Sequence, residues 1–134
     1  MAHINWLHFT DLHQRIDQDW RWPGVQQILF DDLKALHGKA GPWDLVLFTG
    51  DLTKSGQGEE FHKVTAFLQR LWEEFAKLGC APLLLAVPGN HDLQWQNPKD
   101  PAVRNFRLWD DEDIQEEFWT EPGSAMRQVV NQAF

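Results

Sequence analysis

The chain has 134 residues, of which 43% are apolar and 24% charged, the balance of one soluble globular domain. Its formal net charge of −8 argues against a surface that binds nucleic acid by displacing counterions, although a bound divalent cation would reverse the charge where a phosphate must sit. The single cysteine, Cys80, excludes an intrachain disulfide. With no basic-then-apolar leader and no apolar run near the roughly 20 residues that span a bilayer, a soluble cytoplasmic protein with no membrane partner is expected.

Ile4 to Phe9 reads as a short buried strand, followed by polar residues from Thr10 to Asp19. Trp20, Trp22, Pro23 and Gly24 signal a turn. Val25, Ile28, Leu29, Leu33 and Leu36 then recur at helical spacing, with Gly38 and Gly41-Pro42 as stop signals. Leu45 to Phe48 is a second apolar run, ended by Thr49-Gly50-Asp51. Phe61, Val64, Leu68, Leu71, Phe75 and Leu78 form the clearest amphipathic helix, and Gly79 stands where it should end. Pro82 to Val87 is a third apolar run, ended by Pro88-Gly89-Asn90-His91-Asp92.

This β-α-β-α-β pattern predicts an α/β fold whose parallel sheet is covered on both faces. Beyond it, Gln94 to Pro101 reads as a loop. Val103 to Trp109 and Glu112 to Thr120 read as short helices, and Ala125 to Ala133 as a further helix. Asp110 to Glu121 holds seven acidic residues and no basic one, which reads as a solvated helix face. The expected organisation is one domain over 1–134, with the motif-bearing part at 4–93.

The polar clusters all follow strands. Asp11 and His13 follow the first, Asp51 the second, and Asn90, His91 and Asp92 the third. In a parallel sheet the carboxyl ends of the strands share one edge, so groups about 40 residues apart in the chain converge where ligands of open α/β sheets bind. Carboxylate, imidazole and amide donors suit Mn, Fe or Zn better than calcium. Asp11 and His13, two apart, can face the same way in an extended segment. Asp51 can offer one oxygen to each of two cations, and Asp92 is a candidate to hold the His91 ring by a hydrogen bond. Each piece alone is common, since Asn and Gly are ordinary turn residues. The ordered occurrence of all three at strand ends is not.

Asp11-Leu12-His13, Gly50-Asp51-(x)4-Gly56 and Gly89-Asn90-His91-Asp92 resemble the first three motifs of the calcineurin-like metallophosphoesterases, over roughly residues 4 to 93. The resemblance implies a four-layer α/β/β/α sandwich and a dinuclear centre of two divalent metal ions (Mn, Fe, Zn or Ni). It implies that Asp11 and His13 bind one metal, that Asp51 bridges both and that Asn90 binds the other. A metal-activated water would attack phosphorus in line. His91 would stabilise the transition state or protonate the leaving oxygen, with Asp92 beside it in the catalytic set. Two cations about 3.5–4 Å apart can activate the water and neutralise the phosphate together.

Protein phosphatases of this superfamily carry Asp-Arg where this chain has Lys54-Ser55, and Glu where it has Asp92. The motifs look more like the cyclic nucleotide phosphodiesterase and nuclease branches. The expected substrate is a small-molecule or nucleotide phosphoester. A nuclease is the weaker reading, because no basic track for a strand is visible.

The family completes its site with later histidines, and no His follows His91. His3 and His8 lie at or before the first strand, with His8 expected to point into the sheet layers. His37 and His62 fall on helices, as surface residues. The expectation is therefore an amino-terminal part of a longer enzyme. Its exposed apolar sheet would favour self-association or cover by a missing carboxy-terminal half. The rival reading is a non-catalytic metal-binding or protein-interaction module derived from the same fold.

Overall fold

Three parallel strands organise the amino-terminal part of the chain. β1 (Trp6–Phe9) pairs with β2 (Leu45–Thr49), which pairs in turn with β3 (Leu83–Val87), in the order β1-β2-β3. Trp6 stands beside Leu45 and Leu45 beside Leu83, while Phe9, Phe48 and Ala86 share a row near the carboxyl edge. The computed structural model describes residues 3–17 and 22–133. It divides into two compact units, Met1–Asp92 and Leu93–Phe134.

In the first unit, α1 (Trp22–Ala40) joins β1 to β2 and α2 (Gly58–Lys77) joins β2 to β3. Alternate residues of a strand face opposite sides, and Val46 and Phe48 of β2 are the inward pair, at 0% and 2% exposure. Phe30 and Leu33 of α1 pack there with Phe67, Leu71 and Phe75 of α2, closed by Trp43 and Cys80. Glu60, Val64, Phe67, Leu71 and Phe75 lie on the buried stripe of α2, the three-and-four spacing of an amphipathic helix. The helix stops at Gly79, whose φ of 76° suits a residue without Cβ. That conformation turns the Gly79 and Cys80 amides back to the Ala76 and Phe75 carbonyls, at 3.0 and 3.1 Å.

Two expectations need correction. α1 begins at Trp22 rather than after Gly24. Pro23 is tolerated because the first turn of a helix has amides without intrahelical partners. Gly38 lies inside the helix, which ends at Ala40, and Trp20 lies outside the described residues.

The sequence pattern led us to expect helices on both faces of the sheet, but within the first unit the described helices pack on one face. Both helices bury their residues in one cluster with Val46 and Phe48. Strand order β1-β2-β3 steps in one direction, and crossovers of one hand then fall on one side. All five residues of β3 are exposed. The outward face carries Trp6, Leu83, Leu85 and Val87 at 54%, 73%, 56% and 48% exposure. The described residues thus form one three-stranded sheet with flanking helices, an α/β fold that corresponds to part of the four-layer sandwich.

The second unit is helical: α3 (Pro101–Asn105), a 3-10 turn at Phe106–Leu108, α4 (Glu112–Thr120) and α5 (Ala125–Ala133). Asp100 caps α3 by accepting from the Ala102 amide at 2.8 Å, and Asp111 caps α4 by accepting from Asp113 at 3.0 Å. Glu112 and Asp113 lie in the first turn of α4, where the helix dipole favours negative charge. Trp109 and Phe118 pack edge to face, and the Arg127 guanidinium lies 5.5 Å over the Phe118 ring. Among the described residues no helix is long and apolar enough to cross a membrane.

Candidate functional site

Beyond β1 and β2 the chain bends through conformations that side chains rarely adopt. Asp11, His13 and Asp51 have φ of 55°, 45° and 54°. Left-handed backbone at non-glycine residues is costly and persists only where surroundings impose it. Here two loops are zipped together. The Asp11 amide donates to Gly50 O at 3.2 Å, His13 to Asp51 O at 2.9 Å and Gln14 to Leu52 O at 2.9 Å. Lys54 N returns to Gln14 O at 3.0 Å, with a bridge between Gln14 and Thr53.

The loop after β3 docks on this pair. Asp51 Oδ1 accepts from the His91 amide at 3.0 Å. Gly89 permits the approach, because a Cβ there would overlap the Asp51 carboxylate and amide nitrogen. Asp92 is 8% exposed. It accepts from Gly89 N (2.9 Å), Leu52 N (3.1 Å) and Thr53 N (2.7 Å), with Thr53 Oγ1 at 3.0 Å. Burial pushes its pKa up, but the donors from Gly89, Thr53 and Leu52 outweigh burial and hold the carboxyl below its ordinary value.

Asp92 therefore does not hold the His91 ring, contrary to expectation. The 3-10 turn Asn90–Asp92 carries its carboxylate to the amides of the second loop. His91 Nδ1 instead lies 2.9 Å from the Lys54 carbonyl. A carbonyl only accepts, so Nδ1 carries a proton and donates it to Lys54 O.

One ligating atom each of His13, Asp51 and His91 lies within 4.8 Å of the others, and all three residues are half-buried. The two imidazoles meet edge to face with centroids 4.8 Å apart. Asp11 sits on the rim, its side chain 58% exposed and Oδ1 3.4 Å from His13 Nε2. Its Oδ2 accepts from Thr10 Oγ1 at 2.8 Å. Asn90 is exposed at the start of the turn. So of the expected metal ligands, His13 and Asp51 are gathered with His91, Asp11 adjoins His13, and Asn90 lies at the edge.

The other histidines stay apart. His8 is exposed, with Nε2 2.6 Å from Thr49 Oγ1, rather than pointing into the layers. His62 is exposed on α2, while His37 on α1 is half-buried.

Several supporting residues carry no motif. Thr53 and Gln14 are 0% and 1% exposed. Thr53 Oγ1 lies 3.0 Å from His91 O and accepts from Gly56 N at 3.2 Å. Glu60, 3% exposed, accepts from Ser55 N at 2.8 Å and Ser55 Oγ at 3.0 Å. It thereby holds the segment that presents the Lys54 carbonyl. The visible sign was a carboxylate on the apolar stripe of α2, since a buried charge must have partners.

Two imidazoles and a carboxylate suit a Mn, Fe, Zn or Ni ion. His13, Asp51 and His91 thus form a cluster that could hold a divalent metal at the carboxyl edge of a parallel α/β sheet. The profile of the calcineurin-like phosphoesterase family matches residues 4–129, and the chain belongs to that family. No curated protein matches it.

Proposed function

We propose that this chain is a metal-dependent phosphoester hydrolase of phosphodiesterase type, acting on a small-molecule or nucleotide phosphoester. The observation that carries the reading is the convergence of His13, Asp51 and His91 within 4.8 Å on strained, tightly tied loops. A divalent cation held there would supply acidification of a water molecule near neutral pH and positive charge against the phosphoryl oxygens.

The chain's own groups prepare that place. His13 and Asp51 would hold the cation, and Asp11 would add a carboxylate beside His13. Asp51, with one oxygen engaged by the His91 amide, and the rim residue Asn90 are the groups toward a second cation. Asp92 acts as a positioning residue, fixing the second and third loops relative to each other. Lys54-Ser55 and Asp92 depart from the protein phosphatase pattern, and the charge of −8 offers no track for nucleic acid. Both favour a small substrate.

The test is turnover of bis-p-nitrophenyl phosphate with Mn(II) by the wild type and by Asp51→Asn. Loss of a ligand at the centre is expected to lower the rate by about 100-fold or more. Equal rates for the two proteins would remove the hydrolase reading.

A further inference from the structure

Backbone hydrogen bonds tie the first loop to the second as far as Gln14, whose amide donates to Leu52 O and whose carbonyl accepts from Lys54 N. Beyond Gln14 a side chain takes over. Lys63, half-buried on α2, directs its Nζ to Arg15 O at 3.0 Å and to Ile16 O. We propose that Lys63 is a positioning residue for the metal site. It clamps the end of the first loop to α2 and so keeps His13 in the backbone conformation that brings its imidazole to Asp51. This rests on the reading that the cluster takes a cation, and deepens it by adding a residue that lies outside the motifs.

Three observations support the assignment. First, an ammonium carries several N–H donors and no acceptor, so one lysine can serve both carbonyls, and bonds from a charged donor are stronger than neutral ones. Second, His13 has a φ of 45°, a strained conformation that persists only where the surroundings over-determine it. Asp11 N, bonded to Gly50 O, ties the segment upstream of His13. Lys63 ties it downstream, at the two residues that follow Gln14. Third, Glu60 and Lys63 stand three apart on α2, where helix side chains share a face. Glu60 accepts from Ser55 N and Ser55 Oγ at 2.8 and 3.0 Å. One turn of helix therefore grips both loops, the one that carries Asp51 through Glu60 and the one that carries His13 through Lys63.

The charge of Lys63 gives this role a sign of its own. A positive side chain near a cation site repels the cation, so its removal tightens binding if charge alone matters. Loss of positioning acts in the opposite direction, because a ligand freed from its support binds more weakly.

The experiment is calorimetric titration of the full chain with Zn(II) alone. Lys63→Met keeps the length of the side chain and loses its donors, and is expected to weaken binding by about 10-fold or more. Lys63→Arg keeps charged donors and should recover most of that loss. Lys77→Met makes the same change of charge at the far end of α2, where Lys77 pairs with Glu74 at 2.7 Å, and should stay within about twofold of the wild type. Circular dichroism checks folding. If Lys63→Met is unfolded, ¹⁵N NMR of the wild type decides. Coupling between sites is reciprocal, so saturating Zn(II) should slow exchange of the Lys63 ammonium protons. Unchanged or tighter binding by folded Lys63→Met, no recovery in Lys63→Arg, or ammonium exchange indifferent to Zn(II) overturns the role of Lys63 and leaves the hydrolase reading standing. Failure of the wild type to bind Zn(II) overturns both.

Discussion

Gly89 and Asp92 show how much of the site depends on residues that never touch a ligand. A Cβ on Gly89 would meet the Asp51 carboxylate, so Gly89→Ala must push Asp51 away from His91. The expected result is a 10- to 100-fold loss of metal affinity, of the order seen when support around a metal ligand is lost, with far-UV circular dichroism unchanged. Asp92→Ala removes the acceptor for the Leu52, Thr53 and Gly89 amides. Hydrogen bonds to a charged group and the desolvation of orphaned donors set the cost at about 3 kcal/mol, read from urea melts. The depressed pKa of Asp92 gives this stabilisation a pH signature. It is fully present above the unfolded value of about 4 and is lost as pH falls through the lower folded value. Asp92→Asn should lose that acid limb.

At this scale the residues gathered at the sheet edge were legible and their supports were not. Asp11, His13, Asp51 and His91 stand in recognisable spacings, but the partner of His91 is a backbone carbonyl. Any residue in place of Lys54 would carry one, so no side-chain pattern marks it. Asp92 follows His91 directly, yet the turn Asn90–Asp92 sends the two side chains to different partners.

Among the elements, α2 ties the core to the site. Leu71 is 0% exposed in the cluster beneath β2, and Leu71→Ala should cost about 3–4 kcal/mol by thermal or urea unfolding. Glu60, one turn into the same helix, grips Ser55 and so holds the loop that presents the Lys54 carbonyl. Glu60→Ala should cost about 2–3 kcal/mol and also weaken Zn(II) binding, whereas Leu71→Ala should leave the affinity of the folded protein within about twofold. Unequal effects on binding from comparable effects on stability would separate the two roles; equal effects would show that Glu60 serves only the fold. Strand positions and α2 were visible because apolar periodicity follows burial. The start of α1 was misjudged because Pro23 and Gly24 read as a turn, although proline fits a first helical turn. The continuous apolar run of β3 records what a strand is suited to pack against, and its residues are exposed, in keeping with the exposed apolar sheet that the sequence led us to expect.

At the scale of the whole molecule, the chain forms two compact units with a boundary at Asp92. Length carries no information about which segments share a core, and the helices after Leu93 build their own contacts around Trp109, Phe118 and Arg127. The division makes a prediction about metal linkage. His13, Asp51 and His91 all lie in the first unit, so a cation bound there would stabilise the state in which that unit's loops are closed. At free metal 100 times its dissociation constant the gain is about 2.7 kcal/mol. Hydrogen exchange with saturating Zn(II) should therefore slow at the amides of Leu52, Thr53, Gly89 and His91 and across α2. Amides of α4 and α5 that exchange by local opening should keep their rates, and a chelator should reverse the change. Equal slowing in both units would mean that they open together, so that metal held at the sheet edge also governs the stability of the helical unit.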